Sequence, residues 1–129
     1  MTREAVVVTG TGAVCAAGMS PAEIFAAVQE GRSALGPIRQ WDTTHWPAHV
    51  AGEIPDFNPR ALVEDRKLHK LIRRTDLVGL YAASRAIEAA GIAAHRDALP
   101  AADAAHSNDR TGVIVGSGAG NFQNQYDYF

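Results

Sequence analysis

An α/β fold is predicted for this chain by two β-branched apolar runs, Val6-Val7-Val8 near its start and Val113-Ile114-Val115 near its end. Each runs into a glycine-rich turn, and helical patterning fills the space between. Apolar runs without alternation suit strands buried on both faces of a largely parallel sheet. With 129 residues, 47% of them hydrophobic and 20% charged, the chain has room for one globular domain. A compact body of this mass would bury about two-thirds of its open-chain surface.

The first strand is expected over residues 5–8 and ends at Thr9-Gly10-Thr11-Gly12. Ser20-Pro21-Ala22-Glu23 reads as a helix start: Ser20 as N-cap, Pro21 where a missing N–H costs nothing, and Glu23 closing a capping box. Ile24, Phe25 and Val28 supply its apolar stripe, and Gly31 stands where a left-handed C-cap belongs. Residues 36–59 hold Pro37, Pro47, Pro55 and Pro59, so only one short strand is expected there, at 50–54. Helical character is expected over 60–74. A cleaner helix runs from Asp76, with Leu77, Leu80, Tyr81, Ser84 and Ile87 on one face, to a stop at Gly91. A polar, alanine-rich connection leads to the second buried strand, 111–115. The closing Phe122, Tyr126, Tyr128 and Phe129 carry no cap or stop signal, so the domain is read as continuing past this sequence.

Twelve Lys and Arg against fourteen Asp and Glu give a net charge of −2, so no whole-chain field favours nucleic acid or an anionic membrane. One cysteine, Cys15, leaves no disulfide framework and suits a reducing cytoplasm. No run approaches the ~20 apolar residues of a membrane span, and Val6-Val7-Val8 is too short for a secretory leader.

Val8-Thr9-Gly10-Thr11-Gly12 invites comparison with the dinucleotide fingerprint G-x-G-x-x-G. Cys15 stands where its third glycine belongs, and the capped helix starts only at Ser20, so a tight turn is the expected reading. Cys15 lies among Ala13, Val14, Ala16 and Ala17 without a basic neighbour to favour thiolate, which marks a packed thiol. His45 and His49 are separated by Pro47 and lack further ligands, so no metal is expected. Residues 60–74 set six cations against Glu64 and Asp65, a local +4 that leaves −6 for the remainder. On a helix Arg66, Lys70 and Arg73 form one face, Lys67 and Arg74 flank it, and Leu68, Leu71 and Ile72 turn inward. Such a face is either simply solvated or a docking patch for an acidic partner.

Taken in order, Val6-Val7-Val8-Thr9-Gly10-Thr11-Gly12, Ala51-Gly52-Glu53-Ile54 with Asp56-Phe57-Asn58-Pro59, the basic stretch, and Arg110-Thr111-Gly112-Val113-Ile114-Val115-Gly116-Ser117-Gly118 resemble the N-terminal part of a β-ketoacyl-[acyl carrier protein] synthase of the elongating type. The resemblance implies a thiolase-like fold, of which this chain is an incomplete layered α/β/α half, in a cytoplasmic homodimer. It implies decarboxylative condensation of acyl thioesters with malonyl-[acyl carrier protein] in fatty acid or polyketide biosynthesis, with no cofactor. The family's acyl-accepting cysteine, and the two histidines and lysine that promote decarboxylation, lie later in the polypeptide. None matches a position here, so the chain alone is expected to be silent. The family docks acidic acyl carrier protein on a basic helix matching Arg66, Lys67, Lys70, Arg73 and Arg74. Ala119 matches a position where many members place a larger side chain that closes the acyl tunnel. Two rivals remain: a noncatalytic partner subunit that contributes a carrier-docking face, and an independent nucleotide-binding α/β domain.

Overall fold

Ser20 and Glu23 organise the first helix as their spacing predicts. In the computed structural model, which describes residues 5–54, 58 and 62–116, the Ser20 Oγ accepts the Glu23 N–H at 3.2 Å. The Glu23 carboxylate reaches back one residue further than a capping box requires, to the Met19 N–H at 2.8 Å. Helix α1 spans Pro21–Gln29. It is followed by Gly31 at φ 64°, a conformation that costs glycine little and other residues more.

The chain then makes a small antiparallel hairpin, β1 (Leu35–Pro37) paired with β2 (Val50–Gly52), Gly36 opposite Ala51. The loop between them is knit by side chains. The Thr44 hydroxyl and N–H both bind the Asp42 carboxylate, holding it below the usual carboxylate range. Glu53 Oε1 accepts the N–H groups of Arg39 and Gln40 at 3.0 and 3.1 Å. A 3₁₀ helix at Leu68–Lys70 precedes α2 (Arg74–Ala89), which ends before Gly91, again at φ 64°. Arg74 Nη2 donates to the Ile54 carbonyl at 3.0 Å and so ties the chain two residues beyond the hairpin to the first turn of α2. Helices α3 (Ile92–Asp97) and α4 (Ala101–Asp109) follow. The described residues up to Ile92 and those from Ala93 onward form two compact units.

Within the first unit, the glycines of Thr9-Gly10-Thr11-Gly12 lie directly against α2. A Cβ on Gly10 would come within 2.6 Å of the Ala90 nitrogen and 2.8 Å of its Cβ. One on Gly12 would overlap the Ala82 carbonyl oxygen and stand 2.8 Å from the Ala86 nitrogen. Ala82, Ala86 and Ala90 recur every four residues, so they present one small-residue strip to the passing backbone. The tight turn follows at Cys15, whose N–H and C=O exchange hydrogen bonds with Gly18 at 2.9 and 3.2 Å. Cys15 is half-buried and unpaired in that turn, and its sulfur accepts the Ala17 N–H at 3.4 Å.

Several expectations are corrected. Residues 5–8 and 111–115 form no strand, and Val6, Ile114 and Val113 are 98%, 100% and 87% exposed. A strand is completed by a hydrogen-bonded neighbour, and among the described residues neither run has one. Among the described residues the sheet is antiparallel and lies between residues 35 and 52. The alanine-rich connection is helical: alanine has the highest helix propensity, and Pro100 precedes α4 where its missing N–H is harmless. On α1 Ala27 is the buried residue, while Phe25 and Val28 face solvent. On α2 the inward face carries Leu77, Val78, Tyr81, Ala82 and Ala86, with Leu80 and Ile87 turned outward. Among the described residues only Ala27 and Leu77 are buried hydrophobics, far short of the core that the chain's size permits. The mixture of helix and strand accords with a partial α/β domain.

Two pairs of substitutions check this packing. Gly12→Ala is expected to lower stability by about 1–3 kcal/mol through overpacking. Gly79→Ala, in an α2 position with nothing within 4 Å of an added Cβ, is expected to raise it by about 1 kcal/mol. Arg74→Ala removes a half-buried, charge-assisted hydrogen bond and is expected to cost about 1.5–3 kcal/mol, whereas Lys70→Ala at an exposed site stays within about 0.5 kcal/mol. Denaturant unfolding of the four variants separates these outcomes.

Candidate functional site

The cation-rich segment is built by two aspartates. Asp65 begins it: its carboxylate accepts the Lys67 N–H at 2.9 Å and its carbonyl the Leu68 N–H at 3.1 Å. Both bonds favour a tight turn over a continuing α-helix. The Leu68 carbonyl then accepts from Leu71 and Ile72 at 2.9 and 3.0 Å. Asp76 ends the segment, its carboxylate taking the Arg73 N–H at 2.9 Å while Arg73 itself is extended (φ −97°, ψ 169°). Asp76 also sets a negative charge in the first turn of α2, where the helix dipole favours it and where Arg74 is unfavourable.

The continuous basic helix expected over 60–74 is therefore replaced, in its described part, by a 3₁₀ helix, an extended break and the start of α2. The electrostatic reason is plain. A continuous α-helix would stack Arg66, Lys70 and Arg74 at successive i, i+4 positions, each a like-charge pair. The tighter turn changes which residues face outward. Side chains three apart eclipse in a 3₁₀ helix. His69 and Ile72 form the inner side, both half-buried, with His69 Nε2 2.8 Å from the Val63 carbonyl and so placed to donate to it. Lys67 and Lys70 form one outer stripe and Leu68 and Leu71 another. Leu68 is 44% and Leu71 75% exposed, where inward packing was expected.

The five basic residues singled out from the sequence divide by environment. Arg66, Lys67 and Lys70 are exposed and, among the described residues, have no carboxylate within ion-pair distance. Arg74 is half-buried and holds the Ile54 carbonyl. Arg73 is exposed at the N-cap of α2. The set is thus brought to one short stretch, with its members serving different ends. Ala119 lies outside the described residues. Gly10 and Gly12 are covered by α2, which gives that glycine pair a packing role. His49 Nδ1 lies 3.2 Å from the Thr43 hydroxyl. Among the described residues no three His, Cys, Asp or Glu side chains converge as a metal site, and no helix is long and apolar enough to cross a membrane. A shallow cleft beside the hairpin is lined by Leu35, Arg39, Ala51 and Glu53, but Glu53 already serves two backbone donors there. Sequence reasoning missed the outward leucines; the signal was Asp65, a turn-former two residues before Lys67.

Over residues 3–128 the sequence matches the family described as beta-ketoacyl synthase, N-terminal domain. It is 34% identical over 123 residues to 3-oxoacyl-[acyl-carrier-protein] synthase 2 of Coxiella burnetii, covering 93% of this chain and 27% of that protein. It is 33% identical to the chloroplastic 3-oxoacyl-[acyl-carrier-protein] synthase I of Hordeum vulgare, covering 92% and 24%. To 3-oxoacyl-[acyl-carrier-protein] synthase 1 of Haemophilus influenzae it is 30% identical, covering 92% and 27%. The chain spans about a quarter of the length of these relatives. The motifs read from the sequence, their order, and a match over almost the whole chain agree: this polypeptide belongs to the family described as beta-ketoacyl synthase, N-terminal domain.

Proposed function

We propose that this chain is the carrier-docking part of a 3-oxoacyl-[acyl carrier protein] synthase. In the reaction an acyl group moves from a carrier thioester to an enzyme thiol. Loss of CO2 from a malonyl thioester then leaves a carbanion that attacks the acyl carbonyl, forms the carbon–carbon bond and releases the thiol. That chemistry needs an activated thiolate, a proton-handling partner and an oxyanion site in register. The residues of this chain contribute none of the set: Cys15 is held in a turn among alanines. Their part is recognition. The observation that carries the reading is the trio Arg66, Lys67 and Lys70, exposed and without carboxylate partners among the described residues, in a family whose relatives are named for acyl carrier protein.

The thiolase-like fold, the homodimer and the cytoplasmic setting belong to the same proposal. It is supported by the family match and by the β-branched runs at 6–8 and 113–115, whose side chains are suited to the interior of a larger sheet. In this reading Ala119 matches a position where many family members place a larger, tunnel-closing side chain; either the space is left for longer acyl groups or a neighbouring residue fills it. The nucleotide-binding rival is disfavoured by α2 packed over Gly10 and Gly12.

Exchanging Lys67 and Lys70 together for glutamate in the full-length protein is expected to weaken acyl carrier protein binding at least tenfold at low salt, and to flatten its salt dependence, with the melting temperature unchanged. Isothermal titration between 50 and 250 mM NaCl measures both. Unchanged affinity and salt dependence would remove the docking assignment.

A further inference from the structure

The two outer edges of the hairpin are built differently. The Ile38 N–H donates to the His49 carbonyl at 3.0 Å, and the register sets Gly36 opposite Ala51 and Pro37 opposite Val50. Inward and outward backbone groups alternate along an antiparallel pair, so Gly36 and Ala51 face each other while Leu35, Pro37, Val50 and Gly52 point away. The β1 edge is closed. Ser33 Oγ takes the Leu35 N–H at 3.2 Å, and Pro37 has no N–H to offer. The β2 edge is open: among the described residues the outward N–H and C=O groups of Val50 and Gly52 have no partner, and both residues are exposed.

We propose that the open β2 edge pairs antiparallel with the β2 edge of a second copy of this chain, Val50 of each opposite Gly52 of the other. The outward groups set that register: Val50 and Gly52 exchange N–H and C=O across the contact, and a two-fold axis passes between the two Ala51 residues. The flanking side chains are complementary in the same register. His49, Ala51 and Glu53 share one face, and the axis sets His49 of each copy opposite Glu53 of the other. His49 Nδ1 lies 3.2 Å from the Thr43 hydroxyl. With Nδ1 accepting that hydroxyl, the ring proton sits on Nε2 as a donor. Glu53 spends Oε1 on the Arg39 and Gln40 N–H groups, which leaves Oε2 to accept. On the opposite face exposed Val50 comes beside Gly52 and the Ala16 methyl that lies against it. An unrelated strand would satisfy the backbone and miss this reciprocal match, so the occupant is a second copy. Strands of this length make a contact far below the roughly 1,600 Å² of a standard interface, and the pairing is weak and concentration-dependent. It does not rest on the docking reading.

The test uses the full-length protein. Ala51→Cys sets two thiols at a close antiparallel pair, with Cα atoms about 4.5 Å apart and within disulfide reach. Mild oxidation is expected to give an intermolecular disulfide at position 51, identified by peptide mass. His49→Cys, which this register holds far from its own copy, is expected to cross-link roughly fivefold less. Sedimentation velocity from about 1 to 200 µM is expected to show a rising mean mass for the wild type and a constant one for Val50→Pro, which removes only an outward N–H. His49→Glu sets carboxylate against carboxylate and is expected to weaken the association roughly fivefold. Equal cross-linking at 49 and 51 would mean random collision and overturn the register. No disulfide at 51, or a concentration dependence that Val50→Pro leaves unchanged, refutes the pairing. A lowered melting temperature for Val50→Pro would show that the Val50 N–H is used within the molecule, and the edge would then be closed.

Discussion

The first unit is organised by one close approach, the backbone at Gly10 and Gly12 lying on the alanine strip of α2. At these separations there is no room for a Cβ on either glycine, whose nearest neighbours are backbone atoms of Ala82, Ala86 and Ala90 and the Ala90 methyl. Both sides of the contact are therefore made of the smallest residues available. Such a contact stabilises through many short dispersion contacts and tolerates almost no change in volume. It fixes α2 against the start of the chain, and α2 in turn carries Arg74, whose guanidinium holds the end of the hairpin. The basic turn is suspended between these two fastenings.

That suspension explains how a stretch so rich in positive charge keeps a defined shape. Its backbone bonds are closed by carboxylates at either end, Asp65 on the Lys67 N–H and Asp76 on the Arg73 N–H, so the lysine side chains themselves are left for other work. A carboxylate accepting a backbone N–H is a charge-assisted bond and worth more than a neutral one. The two aspartates thus fold the segment and leave its outward charge undiminished.

What could be read from the amino acids was what depends on near neighbours. Ser20 with Pro21 and Glu23, Gly31, Gly91 and the short strand near residue 50 all follow from local backbone chemistry, and each is found close to where it was expected. The basic segment was misread because its leucines and cations fit a 3.6-residue period nearly as well as a three-residue one, and the decision lay with Asp65. The exposed faces of Phe25, Val28, Leu80 and Ile87 were illegible for a different reason: an apolar stripe marks a surface that can be buried and does not say by what. The runs at 6–8 and 113–115 show the same limit for strands. The candidate docking residues were legible as a cluster from charge alone; the division of labour that places Arg74 inside and Lys67 and Lys70 outside needed the folded chain.

The three-residue spacing of the basic turn makes it sensitive to length. Lys67 with Lys70, Leu68 with Leu71, and His69 with Ile72 take its three sides, so deleting or inserting a single residue would rotate every pair by one step and bring half-buried His69 and Ile72 outward in place of an outer pair.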